Sequence, residues 1–177
     1  MKLNLLKPMF IQSAAFSDVF LRMDGSNVTQ KTGSGGGVVN CQKGMEETGK
    51  FKIQQQNDGT VVIESIKYPG VYLRMDGSNV KSFAGAGAGR VNCQLGADMW
   101  EHFKLHEQED GSYTIESAAF KNVFLRMDGN NASSNPSGFG VVNCQFGAQS
   151  CERFYLVSDS NDLLEKGKDF LNKCAKK

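Results

Sequence analysis

Apolar and polar residues alternate with a period of two through most of the chain, the mark of strands that bury one face against a core. Val19, Leu21 and Met23 point one way, Phe20 and Arg22 the other, and the same alternation returns through Leu73 and Met75 and through Leu125 and Met127. Val39 and Cys41 alternate with Val38, Asn40 and Gln42. Arg90 at the place of Val38 in a later copy marks that second set as the solvent side. Cys41, Cys93 and Cys144 are thereby assigned to the interior, Asn40, Gln42 and their equivalents to the surface. Phe51 with Ile53, Phe103 with Leu105 and Phe154 with Leu156 make a third inward pattern, and Ile11, Ile63 and Ile115, each two residues before a serine, a fourth. Asn57-Asp-Gly59 and Glu109-Asp-Gly111 predict tight hairpin turns.

These segments recur in register. Phe20-Leu-Arg-Met-Asp-Gly25 returns from Tyr72 and from Phe124, a spacing of 52 each time, and Val39-Asn-Cys-Gln42 returns from Val91 and Val142. Four strands in each of three copies give twelve, over repeats of about 9–58, 59–110 and 111–158. Three similar units cover one another best by closing around an axis, which removes exposed strand edges. The arrangement resembles the β-trefoil fold, and the aromatic-Leu pair before a turn followed by a later Phe-x-Leu strand is similar to its fascin and actin-crosslinking branch, over roughly residues 9–158. The expected fold class is therefore all-β, a β-trefoil domain over 1–158 with pseudo-threefold symmetry. Its expected core is Ile11, Leu21, Met23, Val39, Cys41, Phe51, Ile53 and their equivalents. Beyond Ser158 the period changes. Asp162-Leu-Leu-Glu165 has the form of a helix start, and Leu163, Leu164, Phe170, Leu171 and Cys174 share one face, predicting an amphipathic helix within a tail over 159–177. That helix would dock on the trefoil itself or on a partner.

Composition narrows the function. The 177 residues carry 20 Lys and Arg against 19 Asp and Glu, a net charge of +1, which disfavours nucleic acid, heparin-like polyanions and acidic membranes as partners. No stretch reads as a secretory signal or a membrane span. Five cysteines, an odd number with three assigned to the core, read as free thiols, and a reducing cytoplasm is the expected location.

Candidate catalytic chemistry is sparse. His102 and His106 lie in one strand-like segment with both rings turned outward and no acid between them, so a metalloprotease pattern is absent. No cofactor or metal is expected, and the protein is read as non-enzymatic. Gly33-Ser-Gly-Gly-Gly37, Gly85-Ala-Gly-Ala-Gly89 and Ser137-Gly-Phe-Gly140 lack the Lys-Ser/Thr ending of a phosphate loop and read as flexible hairpin connections. Beside them a polar set repeats: Asp24, Asn27, Asn40 and Gln42; Asp76, Asn79, Asn92 and Gln94; Asp128, Asn131, Asn143 and Gln145, with Arg22, Arg74 and Arg126. Two readings stand. These residues make turns and satisfy backbone groups, or they bind hydroxyl-rich ligands at up to three equivalent sites. The fascin-like resemblance implies a module attached to a cytoskeletal filament or another protein assembly. The alternative is a lectin that binds glycans. The ricin-type Gln-x-Trp mark is missing, and Phe83 and Phe139 offer stacking surfaces without a counterpart in the first copy.

Overall fold

The computed structural model describes residues 7–159; the predicted C-terminal helix falls outside the described residues. Twelve strands form in three sets of four. The first repeat holds β1 (Met9–Ser13), β2 (Val19–Asp24), β3 (Gly37–Lys43) and β4 (Phe51–Gln55). The second holds β5 (Val61–Ser65), β6 (Val71–Asp76), β7 (Gly89–Leu95) and β8 (Phe103–Glu107), and the third β9 (Tyr113–Ser117), β10 (Val123–Asp128), β11 (Val141–Phe146) and β12 (Phe154–Ser158). A single 3-10 turn precedes the last strand of each repeat, at Glu47–Gly49, Met99–Glu101 and Ser150–Glu152.

Two closed systems of antiparallel pairing result. β1, β12, β9, β8, β5 and β4 run around a six-stranded ring, sealed by the pair Met9 with Phe51. The remaining strands form three hairpins, β2–β3, β6–β7 and β10–β11. Their inner strands meet one another: Gly37 pairs with Cys93, Gly89 with Cys144, and Cys41 bridges Gly140. A ring capped by a triangle of hairpins is the β-trefoil arrangement, and its closure hides the strand edges that an open stack of repeats would leave.

The core lies on the pseudo-threefold axis. Ile11, Leu21, Met23, Cys41 and Phe51 are fully buried, as are Leu73, Cys93, Phe103, Leu125, Cys144 and Phe154. Each such aliphatic or phenyl side chain contributes about 1.5–3 kcal/mol on burial. Leu105 and Leu156, expected inside, are half-buried and pack on the rim of this cluster. The polar faces of the hairpins also depart from expectation. Phe20, the three arginines Arg22, Arg74 and Arg126, Asn92, and the three glutamines Gln42, Gln94 and Gln145 are buried although period-two alternation turns them toward water. Alternation identifies two faces, not which of them another segment covers; the Phe10 ring covers Phe20, and the loop of a neighbouring repeat covers Gln94 and Gln145.

That covering is cyclic. The loop between β2 and β3 lies on the second repeat, the loop between β6 and β7 on the third, and the loop between β10 and β11 on the first. Gly37, Gly89 and Gly140 bring bare backbone onto the Sγ atoms of Cys93, Cys144 and Cys41, and a Cβ at any of the three would occupy the space of that sulfur. Gly35, Gly87 and Gly138, all at positive φ, lie against Asn92, Asn143 and Asn40 in the same sense. The glycine loops expected to be flexible connections are locking elements between repeats.

Candidate functional site

The repeated polar set builds those locks. Asn40, Asn92 and Asn143 donate from Nδ2 to the carbonyls of Ser137, Ser34 and Ala86 at 2.7, 2.8 and 2.8 Å, each in the loop of a neighbouring repeat. Gln94 and Gln145 accept from the backbone amides of Thr32 and Ala84 at 3.2 and 3.0 Å. Gln42 is buried, and its Nε2 has no partner among the described residues. Asp24 and Asp76 accept from the amides of Ser26 and Ser78, and Asp128 from that of Asn130, at 3.0, 3.1 and 3.0 Å, holding the turn after each second strand. The Ser26 hydroxyl first of all keeps the Asp24 carboxyl below its ordinary pKa. Asn27, Asn79 and Asn131 are exposed on those turns. Backbone satisfaction thus accounts for the repeated aspartates, for Asn40, Asn92 and Asn143, and for Gln94 and Gln145.

A different constellation forms where the copies differ. A cleft of about 770 Å³ opens between the Met99–Glu101 turn of the second repeat, the β4–β5 hairpin turn, the glycine loop at Gly33 and the residues Ala118 and Ala119. Its wall is Trp100, half-buried, with its ring centroid 5.2 Å from that of Phe120 in a T-shaped contact and the Arg74 guanidinium 4.6 Å over its face. Arg74 is only 2% exposed and is held by Asn92 Oδ1 at 3.2 Å and by Glu101 Oε1 at 3.7 Å. Glu101 in turn accepts from the Asp98 amide at 2.7 Å, which fixes the turn that presents Trp100. Burial pushes Glu101 up from the usual carboxylate range and pushes Arg74 down from its ordinary value. Met99 stands exposed beside the indole.

Two carboxylates stand at the mouth. Asp98 meets Lys31 Nζ at 2.5 Å. Asp58 accepts from the Thr60 hydroxyl at 2.6 Å and the Thr60 amide at 3.0 Å, and those bonds, the hydroxyl's first, hold its carboxyl below the usual range. The Thr60 oxygen also lies 2.8 Å from His102 Nδ1. Its single proton goes to Asp58, so His102 donates from Nδ1, and in the neutral ring Nε2 is left as an acceptor. His102, expected as a solvated strand residue, is thus fixed in a relay on the cleft wall; His106, also expected outward, is exposed and bonds Glu116 at 2.7 Å. The cleft can stack a flat apolar face, accept hydroxyl protons at Asp58 and Asp98, and donate from Arg74.

Of the predicted site residues, Gln94 lines this cleft and Asn92 holds Arg74 beneath it. The others lie outside it, on their own turns or under the loops of neighbouring repeats. Trp100 lies outside the pattern that the three copies share, since Thr48 and Cys151 occupy its place in the other two. Its signal was its singularity: one tryptophan in the chain, on a short turn next to a glutamate the third repeat also has. Among the described residues no group of three or more His, Cys, Asp or Glu is placed to hold a metal, and no helix is long and apolar enough to cross a membrane.

No family model and no curated protein matches the chain. Solved structures do. The Rhizoctonia solani agglutinin superposes with a TM-score of 0.62 at 13% identity, over 90% of this chain and 100% of the agglutinin. A ricin B-like lectin of Macrolepiota procera, in complex with lactose, gives 0.59 at 9% identity over 90% of this chain and 100% of the lectin. The designed threefold-symmetric ThreeFoil gives 0.60 at 16% identity over 86% of this chain and 99% of the design. The chain also spans 16% of the length of a mosquitocidal holotoxin and 33% of that of an endo-β-galactosidase from Clostridium perfringens, so it corresponds to a part of each. At such identities the likeness shows the fold: this is a β-trefoil, similar in architecture to lectins. Nothing in these neighbours supports the fascin-like branch.

Proposed function

We propose that the protein is a non-enzymatic carbohydrate-binding module whose site is the Trp100 cleft. The observation that carries this reading is an indole set beside two exposed carboxylates, Asp58 and Asp98, over a buried guanidinium. Sugars present just those complements: a C–H face for the aromatic ring and hydroxyl pairs for carboxylate oxygens. The lectins among its structural neighbours, one solved with lactose and one with an asialo-GM1 saccharide, support the same reading. A single site replaces the three equivalent sites expected from the repeats, because Trp100 gives way to Thr48 in the first repeat and Cys151 in the third. Residence in the cytoplasm, with reduced thiols, belongs to the proposal.

A glycan array followed by titration calorimetry tests it. We expect sugar binding with one site per chain, weakened about tenfold or more in Trp100→Ala at an unchanged fold. Filament association is the competing reading. Pelleting with cytoskeletal filaments, together with no retention on any glycan, overturns the carbohydrate reading.

A further inference from the structure

Arg74 differs from its two copies. Arg22 Nη2 reaches Asp24 Oδ2 at 3.1 Å, and Arg126 Nη2 reaches Asp128 Oδ2 at 3.3 Å. Arg74 has Asp76 at the same place in the repeat yet makes no such bond. It bonds Asn92 through Nη1, has Glu101 near Nε and the face of Trp100 beneath it, while Asp76 acts on it by charge alone. The guanidinium has been drawn toward the indole, and Nη2 is left without an acceptor although the residue is 2% exposed and lines the cleft. Nη2 is not among the buried atoms that lack a partner, so it is open on the cleft side and can donate to an oxygen that a ligand brings there.

The surroundings select the kind of oxygen. A carboxylate would approach Asp58, whose side chain is 62% exposed and faces a histidine rather than a permanent cation. A neutral carbonyl meets no such repulsion. Beside the indole the wall is Ala118 and Ala119, which offer apolar surface on the scale of a methyl group.

We propose that the cleft recognises its sugar through an acylamino substituent. The carbonyl oxygen accepts from Arg74 Nη2, the methyl lies against Trp100 and the two alanines, and ring hydroxyls donate to Asp58. This rests on the carbohydrate reading and names the ligand class within it. Matched pairs test it: N-acetylgalactosamine against galactose and galactosamine, and N-acetylglucosamine against glucose and glucosamine, each titrated into the protein. The acetylated member of at least one set binds about tenfold or more tighter than both of its relatives. In Arg74→Lys, which keeps the charge but not the planar fork, that ratio falls toward one. Should Arg74→Lys fail to fold, the wild-type ratios decide alone. Equal affinity across both sets, or tighter binding of the free amines, overturns this proposal and leaves the carbohydrate reading standing. No binding of any of the six sugars, nor of any glycan on the array, overturns both.

Discussion

The fold depends residue by residue on close approach between glycine and cysteine. Gly89→Ala forces a methyl into the space of the Cys144 sulfur and should lower stability by about 1–3 kcal/mol or more in urea unfolding. Adding Cys144→Ala should recover part of that loss, so that the double variant is more stable than the sum of the singles. Additive losses would mean that the contact carries no strain. The same sulfurs respond to base. Burial first, then the nearby Asp128, Asp24 and Asp76, pushes the thiols of Cys41, Cys93 and Cys144 from an ordinary 9.0 up to about 12. Above pH 9 the unfolded chain releases these protons while the folded chain keeps them, so stability falls as pH rises from 9 toward 12. Each thiol contributes about 1.4 kcal/mol per pH unit to that fall. Urea midpoints measured between pH 8 and 10.5 should drop, and less steeply in Cys93→Ala than in wild type. A wild-type midpoint flat across that range would contradict the buried thiols.

Among the elements, the 3-10 turn before each final strand is where the repeats diverge, and there the counter-charge to the buried arginine is set. Glu101 and Glu152 sit near Nε of Arg74 and Arg126, at 3.7 and 3.8 Å, whereas Gly49 stands at the same place in the first repeat and Arg22 Nε has no partner. Removing Glu152 leaves the buried Arg126 with Asp128 as its remaining carboxylate partner and an unpaired Nε, so Glu152→Ala should cost about 3 kcal/mol in thermal or chemical unfolding. Arg22→Met, which removes a charge already half-unpaired, should cost less than that. The opposite order would show that these pairs do not govern the turns. The strands themselves were legible in the sequence: the period of two, the serine two places after Ile11, Ile63 and Ile115, and the Asn-Asp-Gly turn each locate an element locally. The burial of Gln94 and Gln145 was not legible. Their covers, Thr32 and Ala84, lie about sixty residues away, and alternation carries no information about so distant a neighbour.

At the scale of the whole molecule, pseudo-symmetry builds the scaffold and its breakage builds the site. The three glycine loops pass from repeat to repeat in one rotational sense, so each repeat completes the next. The cleft arises chiefly in the second repeat, against loops of the first, where Trp100 and His102 have no counterparts in the other copies. A comparison of copies therefore reads the scaffold well and the site poorly, since it discards the positions that differ. Trp100 is the chain's single tryptophan, and its emission reports on the cleft alone. The most direct measurement is a fluorescence titration of the wild-type protein with the best ligand from the array, alongside calorimetry of the same ligand. A saturable change in Trp100 emission, with a midpoint matching the calorimetric affinity, is the predicted result; calorimetric binding of a glycan that leaves the emission unchanged would contradict it.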